Sequence, residues 1–294
     1  MYVLRASLVT GILIALGLGV GGAAGGSSHI DPVLVWCADC RPYQPGGIFT
    51  MRPDGTRLRF LLEGYRARWS PDGTRLVVES DKQDRPGIWT VRPNGRDLRR
   101  LTSWRAGSPA WSPDARKIVF VRGPTSRLWV VSAEGGRGHA LIRREIGEQL
   151  NPDWSPRGDR IAFNTEPYYG QSERGLYVVR PVGTGLRRLR VAGSMPRWSP
   201  DGRRIAYLTV TSDNADTWVV NVLTLRTKAV RTYRARLNGS APVWSPDGKS
   251  LLVSAWFTDP LGSSLGHVAR LRLSDGHVTV LPRNLDVVPV DWRR

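Results

Sequence analysis

Apolar residues along this chain fall in short runs, each closed off by Pro, Gly, Asp or Asn, and the runs recur in a fixed order. A run ending in Trp comes first, then Ser-Pro-Asp-Gly, then a β-branched and aromatic run such as Arg204-Ile205-Ala206-Tyr207. After a loop of varying length comes a third run, for example Gly87-Ile88-Trp89-Thr90-Val91, then a Pro-Asn-Gly or Pro-Asp-Gly turn, and a basic fourth run such as Leu98-Arg99-Arg100-Leu101. Runs this short, bounded by turn residues, read as strands. The turns have a mechanism: Pro presets φ and Gly accepts φ > 0.

The order is stated five times, at Trp69-Ser70-Pro71-Asp72-Gly73 and again from Trp111, Trp154, Trp198 and Trp244, with a sixth, truncated copy at Trp292. Trp-to-Trp spacings run from 42 to 48 residues. A period in the forties with several strands per unit predicts an all-β fold, a six-bladed β-propeller of four-stranded blades. The six repeat Trp are structural: Trp→Ala there costs stability, not chemistry. Val33-Leu34-Val35-Trp36, Gly47–51 and Leu58–62 read as second, third and fourth strands lacking a first, while Pro289-Val290-Asp291-Trp292 is a first strand with nothing after it. The two fragments complete one blade, three strands from the N-terminal side and one from the C-terminal side, which closes the ring and hides its free edges.

Residues 1–28 are expected to stand apart from the propeller at 29–294. One Arg (Arg5) precedes an apolar run over 6–20 and a small-residue stretch over 21–26, the pattern of a signal peptide or N-terminal membrane anchor. Either exports the rest, so the expected location is extracytoplasmic: periplasmic, secreted or N-terminally anchored.

The repeated Trp-Ser-Pro-Asp-Gly followed by an apolar strand resembles the WD40-like repeat of the TolB family, from Val33 to Trp292. That resemblance implies an extracytoplasmic propeller that binds other proteins, with a partner docking at the mouth of the central channel. The α/β domain that precedes the propeller in the best-known members has no counterpart among these residues.

In such a blade the first-to-second and third-to-fourth strand turns share one face, and they are short and alike. The other connections vary in length, and variable connections usually mark the binding face. Long loops are expected at 37–47, 164–175 and 254–266. They carry Tyr43, Tyr168, Tyr169, Trp256 and Phe257, the shorter connections add Tyr65 and Trp104, and Arg41, Arg66, Arg105 and Arg174 are interleaved. Aromatics with Arg and little Lys make the composition of interface anchors, so these residues are the expected protein-binding site.

Charge changes the picture in one respect. The chain carries a formal +18 with four Lys and 39 Arg. Many Arg are expected on outer strands, among them Arg57, Arg59, Arg99, Arg100, Arg143, Arg144, Arg187, Arg188, Arg190, Arg231 and Arg234, where charge discourages edge pairing. Attraction to an anionic polymer or lipid surface of the envelope is the alternative reading. Nucleic acid is not an expected partner, since no base-reading motif appears. A monomer is expected.

The residues just before the repeat Trp are Arg68, Ala110, Asp153, Arg197, Val243 and Asp291. Asp153 with Arg197, and Asp291 with Arg68, fall on neighbouring blades and are expected to pair near the channel. Cys37 and Cys40 form a lone CxxC, expected as a local disulfide; a zinc site would need further ligands, and the four His are scattered. Gly262-Ser263-Ser264-Leu265-Gly266 matches a nucleophile motif without the strand-to-helix elbow it needs. No catalytic constellation, metal site or cofactor is expected. A metal-dependent lactonase- or lyase-like propeller enzyme and an envelope glycan binder are the alternatives to a protein-interaction scaffold.

Overall fold

A computed structural model describes residues 32–37, 47–80, 86–166, 175–211, 214–237, 239–258, 264–281 and 287–293. All regular structure within them is β-strand. In chain order, β1 (Val33–Cys37), β2 (Gly47–Met51) and β3 (Arg59–Glu63) are followed by β4 (Tyr65–Trp69), β5 (Leu76–Ser80), β6 (Gly87–Val91) and β7 (Arg99–Arg100). Next come β8 (Ala106–Trp111), β9 (Lys117–Arg122), β10 (Arg127–Ser132) and β11 (His139–Ala140), then β12 (Glu148–Trp154), β13 (Ile161–Glu166), β14 (Gly175–Val179) and β15 (Arg187–Arg188). The chain goes on through β16 (Ser194–Trp198), β17 (Arg204–Thr211), β18 (Asn214–Thr224) and β19 (Val230–Leu237). It ends with β20 (Val243–Trp244), β21 (Ser250–Thr258), β22 (Ser264–Arg272), β23 (Val278–Val280) and β24 (Val287–Trp292).

These strands build six antiparallel four-stranded blades, numbered 1 to 6 in chain order. Blade 1 has the order β24-β1-β2-β3, so the N- and C-terminal fragments do share a sheet, with Val33 opposite Trp292 and Cys37 opposite Val287. The inner strands β4, β8, β12, β16, β20 and β24 each touch the next, and β24 touches β4, which closes the ring. Apolar residues from facing blades fill the spaces between them, Phe120 and Phe163 among the largest fully buried side chains.

The Trp-Ser-Pro-Asp-Gly repeat is a self-contained turn. The Ser70 hydroxyl donates to Asp72 Oδ1 (2.6 Å) and accepts from the Arg75 N–H (2.9 Å), while the Gly73 N–H donates to the Ser70 carbonyl (2.8 Å). The same contacts recur at Ser112, Ser199 and Ser245. Gly73, Gly202 and Gly248 supply the left-handed position, at φ 68°, 67° and 66°; Ala115 holds it at φ 57° without glycine's freedom. In the third copy Arg157 replaces the Asp, and Asp159 takes over, accepting from Ser155 Oγ at 2.9 Å. Each Trp that ends an inner strand wedges between blades. The Trp69, Trp111 and Trp244 indoles donate to the carbonyls of Pro32 (3.0 Å), Arg68 (3.2 Å) and Arg197 (2.9 Å) on the preceding blade. Trp154 and Trp198 are buried likewise, and Trp292 is half-buried.

Several sequence-based expectations need correction. The outer strand of blade 3 is His139–Ala140, so Arg143 and Arg144 lie beyond it, exposed. Arg57 precedes β3 and Arg190 follows β15. The expected loop over 254–266 is mostly hairpin: β21 runs to Thr258 and β22 starts at Ser264, pairing Trp256 with Gly266 and Phe257 with Leu265. Asn164, Thr165 and Glu166 likewise belong to β13. Blades 5 and 6 are also joined, through Leu237 of β19 opposite Ala255 of β21. The reason lies in β20. It covers only Val243–Trp244, which leaves the upper edge of β21 open to β19, although Pro242 matches Pro109, Pro152 and Pro196 of longer inner strands.

Candidate functional site

Four inner strands carry a bulge at the same place. The register breaks between Tyr65 and Arg68, Gly107 and Ala110, Leu150 and Asp153, and Ser194 and Arg197. Within each break the residue three before the repeat Trp turns left-handed: Arg66 (φ 41°), Ser108 (φ 52°), Asn151 (φ 52°) and Met195 (φ 54°). Non-glycine residues adopt this conformation at a cost of about 1–3 kcal/mol each, and bulges re-aim side chains next to binding sites. All four line a pocket of about 340 Å³ at the channel mouth, on the face away from the Ser-Pro-Asp-Gly turns.

A polar belt ties these residues together across blades. An Arg66 guanidinium N–H donates to Ser108 Oγ and to Asn151 Oδ1 (3.3 Å), and Arg66 stands 4.0 Å from Glu79. Glu79 Oε2 accepts the Ser108 N–H (2.8 Å). Asn151 Nδ2 donates to Asn164 Oδ1 (3.0 Å), which also accepts the Met195 N–H (3.2 Å). Tyr65 stacks at a tilt on Trp36, ring centres 5.5 Å apart, and both line the pocket. The mouth therefore offers an aromatic wall, amide and hydroxyl groups, an Arg and the thioether of Met195.

Below the mouth the channel holds four charges. Arg68 lies 3.7 Å from Asp153 and 3.8 Å from Asp291. The Arg68–Asp291 pair joins neighbouring blades as expected, whereas Arg68 reaches Asp153 across the channel rather than leaving it to Arg197. Asp153 Oδ2 instead accepts the Trp198 N–H, and Asp291 Oδ2 the Trp69 N–H, both at 2.7 Å. Each carboxylate thus caps the next blade's Trp backbone, and the Asp153 charge acts on Arg197 from beyond ion-pair distance. Burial, and after it the like charge of Arg68, pulls the Arg197 guanidinium down to about 9, while burial pushes the Asp291 carboxyl up.

The residues proposed from sequence distribute as follows. Tyr65 and Arg66 reach the mouth. Trp104 packs edge-on against Trp129 at 6.3 Å, with the Arg122 guanidinium over both rings (4.6 and 4.3 Å), and is not among the residues lining the pocket. Arg105 is exposed in the loop before β8. Trp256 and Phe257 lie on β21, while their side chains, and Arg41, Tyr43, Tyr168, Tyr169 and Arg174 altogether, lie outside the described residues. Cys37 is buried and disulfide-bonded, and Cys40 lies outside the described residues. Ser108, Asn151 and Met195 escaped the sequence reading, although counting back three residues from each repeat Trp marks them. Among the described residues no three His, Cys, Asp or Glu come together as a metal site, and no helix is long and apolar enough to cross a membrane.

No family model matches the chain. A TolB homologue of Chlorobium luteolum is 32% identical over 175 residues, 57% of this chain and 38% of that protein. The chain thus spans less than two-fifths of the length of that curated relative. Among solved structures, TolB from Acinetobacter baumannii superposes with a TM-score of 0.74 at 16% identity, covering 88% of this chain and 66% of that one. An oligogalacturonate lyase in complex with manganese superposes with a TM-score of 0.55 at 15% identity, covering 80% and 70%. At such identities the two structures speak for the fold.

Proposed function

We propose that this chain, a TolB-like β-propeller, is an extracytoplasmic protein-binding module whose partner seats at the channel mouth. One observation carries the reading: four unlike side chains, Arg66, Ser108, Asn151 and Met195, hold the same unfavourable backbone conformation at one end of the ring. Four such residues cost backbone strain, whereas a binding surface gains four side chains aimed into one concavity. The Tyr65–Trp36 wall and Arg66 supply the residue types that anchor protein interfaces. Export rests on the apolar run over 6–20 and the small residues after it. The long loops with Tyr43, Tyr168, Tyr169, Trp256, Phe257, Arg41 and Arg174 remain part of the proposed face.

Affinity capture of the full chain from the envelope fraction tests this. A variant with Tyr65→Ser, Arg66→Ser and Asn151→Ser loses a partner that the wild type retains at high salt, while its melting transition stays cooperative. Equal recovery of the same partner by a folded variant refutes docking at the mouth.

A further inference from the structure

The opposite face, built from the short turns, carries exposed cations that none of its acids holds. Asp72, Asp114, Asp201 and Asp247 accept from the Ser hydroxyls of their own turns. Asp97 pairs with Arg92 (2.5 Å), Glu134 with Arg75 (2.9 Å) and Arg99, and Asp275 with Arg272 (2.7 Å). Six cations on this face, Arg96, Arg137, Arg157, Arg180, Arg226 and Lys249, are exposed and make no side-chain hydrogen bond or ion pair among the described residues. They come from five of the six blades. Arg157 puts a positive charge where the other copies of the turn hold Asp or, at the truncated end, no turn at all.

Two further observations select the partner. The most exposed large apolar side chains among the described residues, Val182 (78%) and Leu98 (60%), both sit in turns of this face, among the free cations. The chain also enters the fold here: the Pro32 carbonyl accepts from the Trp69 indole (3.0 Å) and the Arg293 N–H (2.9 Å), at the turn end of the ring. Residues 21–31 separate Pro32 from the apolar run over 6–20 and span at most about 36–40 Å when extended. An apolar tether and a basic surface studded with exposed apolar side chains, on one side of a molecule, are the two signals that stable attachment to a bilayer takes.

We infer that the turn face docks on an anionic lipid bilayer, tethered by the apolar run over 6–20, with the channel mouth facing away from the membrane. The contact stands on the turn residues and holds whether or not a protein seats at the mouth. The full chain, reconstituted into vesicles, tests it through cysteines at two exposed positions: Thr184→Cys in a turn of blade 4 and Ser103→Cys in a connection of the other face. With phosphatidylglycerol mixed into phosphatidylcholine, a bulky maleimide should modify the cysteine at 184 at least about ten-fold more slowly than with phosphatidylcholine alone, a slowing that two of the six cations suffice to give at about five-fold in partitioning each. High salt restores the rate, and so does the variant R96Q/R137Q/R157Q/R180Q/R226Q/K249Q, while the cysteine at 103 reacts equally throughout. Equal rates at 184 in both lipids overturn the inference. So does slowing confined to 103, or slowing at 184 by a soluble polyanion but not by lipid, which would assign the face to a polymer instead.

Discussion

At one end of the ring Ser70, Ser112, Ser199 and Ser245 hold the same hydrogen bonds in the same turn; at the other end Arg66, Ser108, Asn151 and Met195 share a backbone shape and nothing else. The turn residues satisfy themselves, each Ser spanning its own Asp and its own backbone, so the repeat can be copied without regard to neighbours. The mouth residues are tied mostly across blades, Arg66 to Ser108 and Asn151, Ser108 to Glu79, and Met195 through its backbone to Asn164, while Asn151–Asn164 and Arg66–Glu79 stay within one blade. Regularity therefore marks where the chain solves a folding problem, and departure from it at a fixed repeat position marks where side chains are turned to another use.

The largest way to break this contrast is to open the ring. Deleting 287–294 removes the inner strand of blade 1 and with it the carboxylate that caps Trp69. Several kcal/mol should be lost, a fall of about 10 °C or more in Tm at roughly 2–4 °C per kcal/mol. An unchanged Tm would mean that β24 does not close the ring. Next in size is the wedge: Trp111→Ala should cost about 3–5 kcal/mol in denaturant melts and leave partner affinity unchanged in the folded fraction.

The channel charges sharpen the contrast further. In a double-mutant cycle Arg68→Gln with Asp153→Asn should show a coupling of about 1 kcal/mol, whereas Asp153→Asn with Arg197→Gln should couple more weakly. Reversed results would restore the Asp153–Arg197 pair that the sequence suggested.

Glycine separates the two faces most finely. Ala115→Gly and Ser108→Gly both relieve a left-handed residue, at φ 57° and 52°; the first should gain up to about 1 kcal/mol, while the second also loses the hydroxyl that accepts from Arg66 and should gain less. The change at Ala115 should leave binding intact, while that at Ser108 should weaken it. The smallest effect is acidification. The Ser hydroxyl, then a backbone N–H, holds the Asp114 and Asp247 carboxyls below their ordinary 3.8. A carboxylate depressed by folding stabilises above its unfolded pKa and loses that contribution as pH falls through the folded value. Stability measured by denaturant should therefore decline below pH about 4, and less steeply in Asp114→Asn.

Blade count, ring closure and turn chemistry were legible because a Trp and four turn residues repeat in register, and turns are local. The bulges were not, since a left-handed φ at Arg66 or Met195 is imposed by register against the next strand rather than by residue type. The hairpin carrying Trp256 and Phe257 reads as a loop in sequence because Gly262 and two Ser are turn residues, while the pairing that extends it is non-local. Arg157 shows the reverse case: the motif is broken in sequence and intact in space, because Asp159 reaches the same Ser.

The most direct measurement is site-specific photo-crosslinking in living cells, with a crosslinking residue placed in turn at 108 and at 184. Crosslinking of one envelope protein from 108 and none from 184 is the result that a mouth built for a partner predicts. The same protein captured from 184, with 108 silent, would contradict it and give the turn face the role assigned here to the mouth.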